Sequence, residues 1–77
     1  MNDKPDMNDL MRQAQEAAER ARKYARMGRN EVALASADHF EQGAATAYRN
    51  RNLEQLQMNL EAARELERAL KAKLGVN

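Results

Sequence analysis

Apolar residues recur along this chain at steps of three and four, and no segment of any length alternates apolar with polar. The first run is Met7, Leu10, Ala14, Ala17, Ala21 and Tyr24, widened by Met11, Ala18 and Ala25. That spacing draws one continuous stripe down a helix. Asp6 is placed to cap its start, and Asp9 adds negative charge near the positive end of the dipole. Gly28 supplies a stop, because glycine takes the left-handed C-terminal conformation at little cost. A helix over about 7–27 is predicted, preceded by a flexible segment at 1–6.

Asn30 is a good cap for a second helix, with Glu31 just after it. Ala33, Ala37, Phe40, Ala44 and Ala47 form its stripe, with Leu34 and Tyr48 alongside. Gly43 lies inside this helix, where glycine costs about 1 kcal/mol against alanine. Close packing against another helix accounts for it; the approach of a partner or ligand is the alternative.

The next break has no Gly or Pro to mark it, so the phase of the stripe decides. Leu53, Leu56, Leu60, Ala63, Leu70 and Leu74 form the third apolar run. From Ala47 to Leu53 an ideal helix turns by about 600°, which leaves the two stripes roughly 120° apart. One straight helix cannot bury both against the same neighbour. Asn52 and Gln55 also have the spacing of a capping box. A turn at 50–52 follows, with helices over about 31–49 and 53–74 and a stop at Gly75. Short connections make consecutive helices antiparallel. The expected fold is all-α, an up-down-up three-helix bundle in one domain over 7–75.

Composition sharpens this picture. Of the 33 apolar residues among 77, 15 are alanine, and Phe and His occur once each. Alanine buries little area, and a chain this size hides only about 60% of its unfolded surface. A marginal monomer is expected, to which a partner or an oligomer, such as a coiled coil, would add burial. The absence of Cys excludes a disulfide framework and a cysteine-ligated zinc module. No apolar run is long enough to span a membrane. The start, Met1-Asn2-Asp3-Lys4-Pro5-Asp6, lacks an apolar signal core, so a cytoplasmic location is expected.

Candidate chemistry is sparse. His39 has no second histidine or cysteine to complete a metal site, and Asp38 beside it points about 100° away on a helix. A surface histidine is the plain reading, ahead of a pH-sensing contact or a metal or catalytic role. Ser36 and Thr46 are the lone serine and threonine. Ser36 could touch His39 at helical spacing, but a triad also needs a positioned acid and an oxyanion hole. The three glycines form no phosphate-cradling loop. No catalytic residue, metal or cofactor is therefore expected, and the chain does not read as an enzyme. Most carboxylates find a cation at helical spacing, as in Glu16–Arg20, Glu19–Lys23, Glu61–Arg64 and Glu67–Lys71.

The basic residues say more. Arg20, Arg22, Lys23, Arg26 and Arg29 close the first helix, and Arg64, Arg68, Lys71 and Lys73 close the third. An up-down-up bundle brings both groups to one end, so nine of 13 cations gather there on a chain of net charge +1. They complement two helix C-terminal dipoles. An acidic protein partner is the second reading, and nucleic acid or anionic lipid the third. Nucleic acid has less support, because aromatic residues are not interleaved with the cations. Glu67 sits in the third stripe and needs a partner, for which Arg20 to Arg26 are the nearest supply; a polar contact in an oligomer seam is the alternative. The third helix also carries a thinner ridge of Met58, Ala62 and Ala69, bridged to the main stripe by Leu66. It is either ordinary surface or a contact for a partner helix or a second copy.

The stretch Tyr24-Ala25-Arg26-Met27-Gly28-Arg29-Asn30-Glu31-Val32-Ala33-Leu34 resembles the centre of a tetratricopeptide repeat. Ala21 stands where that family has a small residue, Gly28 at its tight turn, and Ala33 at its early alanine in the second helix. The resemblance spans residues 21–40 and extends equally to other small three-helix interaction domains. Its departures are Ala17 in place of an aromatic, Ala37 and Phe40 interchanged, and Ala45 in place of proline. No second copy follows about 34 residues on, where Met58 and Ala62 stand. The resemblance implies protein binding without catalysis. The expected function is a small non-enzymatic protein–protein interaction module, an adaptor, chaperone-like protein or modulator. Its contact residues would be Met58, Ala62, Leu66, Ala69, Arg22, Arg26, Arg29, Lys71 and Lys73. The alternative is a nucleic-acid-associated regulator using the basic end.

Overall fold

A computed structural model describes residues 6–75 of the chain. Three helices run in order: α1 (Met7–Met27), α2 (Glu31–Arg49) and α3 (Leu53–Leu74). All three pairs pack against one another, and no strand occurs among the described residues. The expected all-α three-helix bundle is the fold, with the expected helix limits. Most of the flexible segment expected at 1–6 lies outside the described residues. Asp6 is described, and it is ordered by its work as a cap: its side chain accepts from the Asn8 amide at 3.0 Å.

Among the described residues, ten of the 14 buried hydrophobic ones are alanine, so the helices meet largely along stripes of single methyl groups. The core divides in two. One cluster joins Met11, Ala14, Ala17, Ala44, Ala47, Leu56, Leu60 and Ala63, with Met7, Leu10, Phe40 and Ala45 packed on its edge. The other holds Ala21, Ala25, Ala33, Ala37 and Leu70, edged by Tyr24, Leu34 and Leu66. Gly43 shows how tight the α2–α3 seam is. A Cβ there would lie within 3.0 Å of three Asn59 side-chain atoms. The glycine thus leaves room for the Asn59 side chain at the edge of an open groove between α2 and α3.

Both turns use one geometry, and it corrects the reading of Gly28. That residue has φ −91°, so it is not left-handed; Arg29, with φ 52°, takes the left-handed place. The second turn repeats this with Arg51 at φ 54°. Arg29 N–H donates to Arg26 O and Asn30 N–H to Ala25 O, and Arg51 N–H and Asn52 N–H do the same to Tyr48 O and Ala47 O. This is the Schellman arrangement, in which the last carbonyls of a helix are closed by the residues just beyond it. Each asparagine then serves twice. The Asn30 side chain accepts from the Ala33 amide at 3.0 Å, and the Asn52 side chain from the Gln55 amide at 3.1 Å. The residue that closes one helix caps the next, so three residues suffice for each reversal. The left-handed residue Gly75, φ 73°, ends α3 as expected.

Candidate functional site

The up-down-up order places the C-terminus of α1, the N-terminus of α2 and the C-terminus of α3 at one end. Of the nine cations expected there, Arg64 stands instead at mid-helix in α3, level with Gln13 of α1, and the structure divides the nine into two groups. Arg20 donates through Nε to Glu67 Oε2 at 3.0 Å. That contact ties α1 to α3 and answers the lone carboxylate in the third stripe. Arg22 reaches α2, with Nη1 at 2.6 Å from Glu41 and 3.2 Å from Asp38. The hydrogen bond to Glu41 raises the Arg22 pKa above its ordinary value, against the opposing effect of burial. Arg64 donates to Gln13 of α1 and lies 3.5 Å from Glu61. These three cations hold the bundle together. Arg22, expected to face a partner, is paired with α2 and cross-links α1 to it.

Several expected pairs rearrange for the same reason. Arg20 and Glu67 meet each other in place of the local pairs Glu16–Arg20 and Glu67–Lys71. A carboxylate facing the bundle gains a better-shielded partner across the seam than along its own helix. Glu61–Arg64 forms as expected.

The remaining six cations are Lys23, Arg26, Arg29, Arg68, Lys71 and Lys73. Among the described residues none of them has a carboxylate within 4.0 Å. Lys23 Nζ sits 5.9 Å from the centre of the Tyr24 ring. Lys71 is half-buried and the other five are exposed. Arg26, Lys71 and Lys73 occupy the last turns of α1 and α3, where positive charge favours the helix dipole.

An open groove runs between the first turn and the end of α3. Tyr24, Leu70 and Leu74 contribute apolar surface to it, Val32 adds an aliphatic side chain that is 77% exposed, and Arg29, Lys73 and Glu31 bring charge. Sequence reasoning did not find this groove, because Val32 lies outside the α2 stripe. A signal existed: a β-branched residue in the first turn of a helix, in a chain nearly devoid of them, on neither apolar face.

The second ridge also resolves into parts. Leu66 packs against the alanine-rich cluster and belongs partly to the core. Met58 is 56% exposed and Ala62 half-buried, and with Glu54, Gln57, Glu61 and Glu65 they line a shallow groove on the outer side of α3. Ala69 is exposed further along the helix. The ridge is therefore acidic at its Met58 end.

His39 is exposed, with its ring centre 5.8 Å from that of Phe40. No hydrogen bond joins it to Ser36, and no group of three His, Cys, Asp or Glu is gathered as metal ligands, among the described residues. No helix among the described residues is long and apolar enough to cross a membrane. Neither protein-family models, curated proteins nor solved structures match this chain.

Proposed function

We propose that this protein is a small non-enzymatic helical interaction module, adaptor-like, chaperone-like or modulatory, which docks an acidic protein surface on its basic end. One observation carries the reading: two exposed cations without a carboxylate partner, Arg29 and Lys73, line a groove with apolar walls at the end of the bundle where four more cations without such a partner close α1 and α3. Arg20, Arg22 and Arg64, by contrast, are paired within the fold. Aliphatic side chains beside unpaired charge suit a partner that brings both carboxylates and an apolar anchor. A nucleic-acid strand would call instead for exposed aromatic platforms along a basic track. Tyr24 is half-buried, which leaves it little face for a base. The resemblance of residues 21–40 to a tetratricopeptide hairpin points toward protein binding as well.

The test replaces Arg26, Arg29, Lys71 and Lys73 together by glutamine. Glutamine keeps the helical propensity close to that of the residues removed. Native and variant proteins are used to capture partners from nuclease-treated extract, with circular dichroism to check the fold. The expected result is a defined protein complex with the native chain, lost in a variant that remains helical. Recovery of a complex only before nuclease treatment would overturn the reading in favour of a nucleic-acid-associated regulator.

A further inference from the structure

We propose that one partner of the basic groove is a second copy of this chain, presenting the acidic outer face of α3. The inference rests on the docking role assigned above to the basic end. A segment that fits the groove must carry carboxylates and an exposed apolar side chain on one helical face. The chain itself displays such a segment. Met58 is 56% exposed and shares its groove with Glu54, Glu61 and Glu65. Among the described residues, Glu54 and Glu65 have no cation within 4.0 Å, while Glu61 has Arg64 at 3.5 Å. Across the contact, Met58 meets Val32 and Leu74, and the glutamates meet Arg29 and Lys73.

The contact has to join two molecules. Met58 and Lys73 stand on the same helix, fifteen residues apart, which is about 22 Å at 1.5 Å per residue. A copy therefore cannot fold its own acidic face into its own groove. Net charge opposes the encounter only weakly, because each copy carries just +1. The two patches are different surfaces, so the contact is head-to-tail. After pairing, one copy keeps a free groove and the other a free face, so association continues beyond the dimer.

Two exposed substitutions separate the patches. Val32→Asp places an anion in the groove and leaves the acidic face intact. Met58→Lys places a cation on the face and leaves the groove intact. Both side chains are more than half exposed, so each variant is expected to keep its helix content, checked by circular dichroism. In sedimentation between about 1 µM and 1 mM, the native protein is expected to rise in average mass with concentration. Raising salt from about 0.1 M to about 1 M shortens screening from about 10 Å to about 3 Å and should return it toward monomer. Each variant alone should stay monomeric at concentrations where the native protein associates. An equimolar mixture of the two should form a 1:1 dimer and stop there, because it has one working groove and one working face.

Association of either variant alone would overturn the head-to-tail pairing. In particular, a dimer of Val32→Asp absent from Met58→Lys would mean that two α3 faces meet symmetrically. A native protein that remains monomeric at every concentration would also overturn it. If the four-site glutamine variant then still loses another protein partner, the docking role of the basic end stands without self-association.

Discussion

The two ends of the bundle are built from different materials. At the end where α1 begins, Met11, Leu56 and Leu60 are buried together, edged by Phe40, Leu10 and Met7. At the basic end Leu70 is the one large side chain among the buried members of the cluster, and four alanines complete it. Charge follows the opposite trend. Residues 18–39 and 64–75 hold nine cations and five carboxylates, whereas residues 6–17 and 40–63 hold three cations and six carboxylates. Large buried side chains are thus concentrated at one end and positive charge at the other. A surface rich in unpaired cations costs stability through repulsion, and the thin core at that end has little to offset it. A partner would supply both counter-charge and burial.

The strongest way to break this comparison is to empty each core in turn. Leu56 has no exposed surface, so Leu56→Ala should cost about 3–4 kcal/mol, enough to unfold much of a chain this small. Leu70→Ala lies beside an open groove into which neighbours can relax, and should cost about 2–3 kcal/mol. Urea titrations would measure both. Equal losses would mean that the two clusters contribute alike.

A smaller effect tests which cations hold the fold. Arg22→Gln removes bonds to Glu41 and Asp38 that are only partly screened, at a cost of about 1 kcal/mol. Arg12→Gln removes an exposed contact with Asp9 within one helix and should change stability by less than about 0.5 kcal/mol. Matching thermal shifts for the two variants would remove the distinction between a cross-link and a surface pair.

Much of this division was legible in the residues. The three stripes, the caps Asp6, Asn30 and Asn52 and the phase break after Ala47 place every helix limit. Glu67, alone among apolar neighbours, pointed to α1 and found Arg20. What was hidden depends on distance across the bundle. Nothing local distinguishes Arg22 from Arg26; only the α1–α2 packing puts the former beside Glu41 and leaves the latter facing water. The role of Gly28 was misplaced by one residue because local preference assigns a left-handed position to glycine. The register of the turn was set instead by Asn30, whose cap and backbone bond must both form. Val32 stood outside every stripe and gained meaning only when α3 ended beside it.

Substitutions in the turns should act in the opposite direction, by a modest gain in stability. A left-handed conformation costs a residue with a Cβ about 1–2 kcal/mol, partly offset by the greater unfolded freedom of glycine. Arg29→Gly and Arg51→Gly should therefore each gain about 0.5–1 kcal/mol. At low salt the gain at Arg29 should be slightly larger, since it also relieves crowding with the other unpaired cations. Thermal midpoints measured at two salt concentrations would show whether the two ends differ in this respect.

The doubled duty of Asn30 and Asn52 has a kinetic consequence. Starting a helix is its slow step, because several residues must be ordered before the first bond returns anything. Here the last bond of α1 fixes the backbone of Asn30, and that same residue holds the side-chain oxygen that accepts from Ala33 N–H and the carbonyl that accepts from Leu34 N–H at the start of α2. The end of α2 does the same for α3 through Asn52. Each completed segment hands its successor a seeded first turn, so the chain can propagate through its reversals without nucleating afresh. Together with the short sequence separations of a helical bundle, this places folding in the microsecond-to-millisecond range. An inserted residue in either turn would break that relay and slow folding before it changed any core contact.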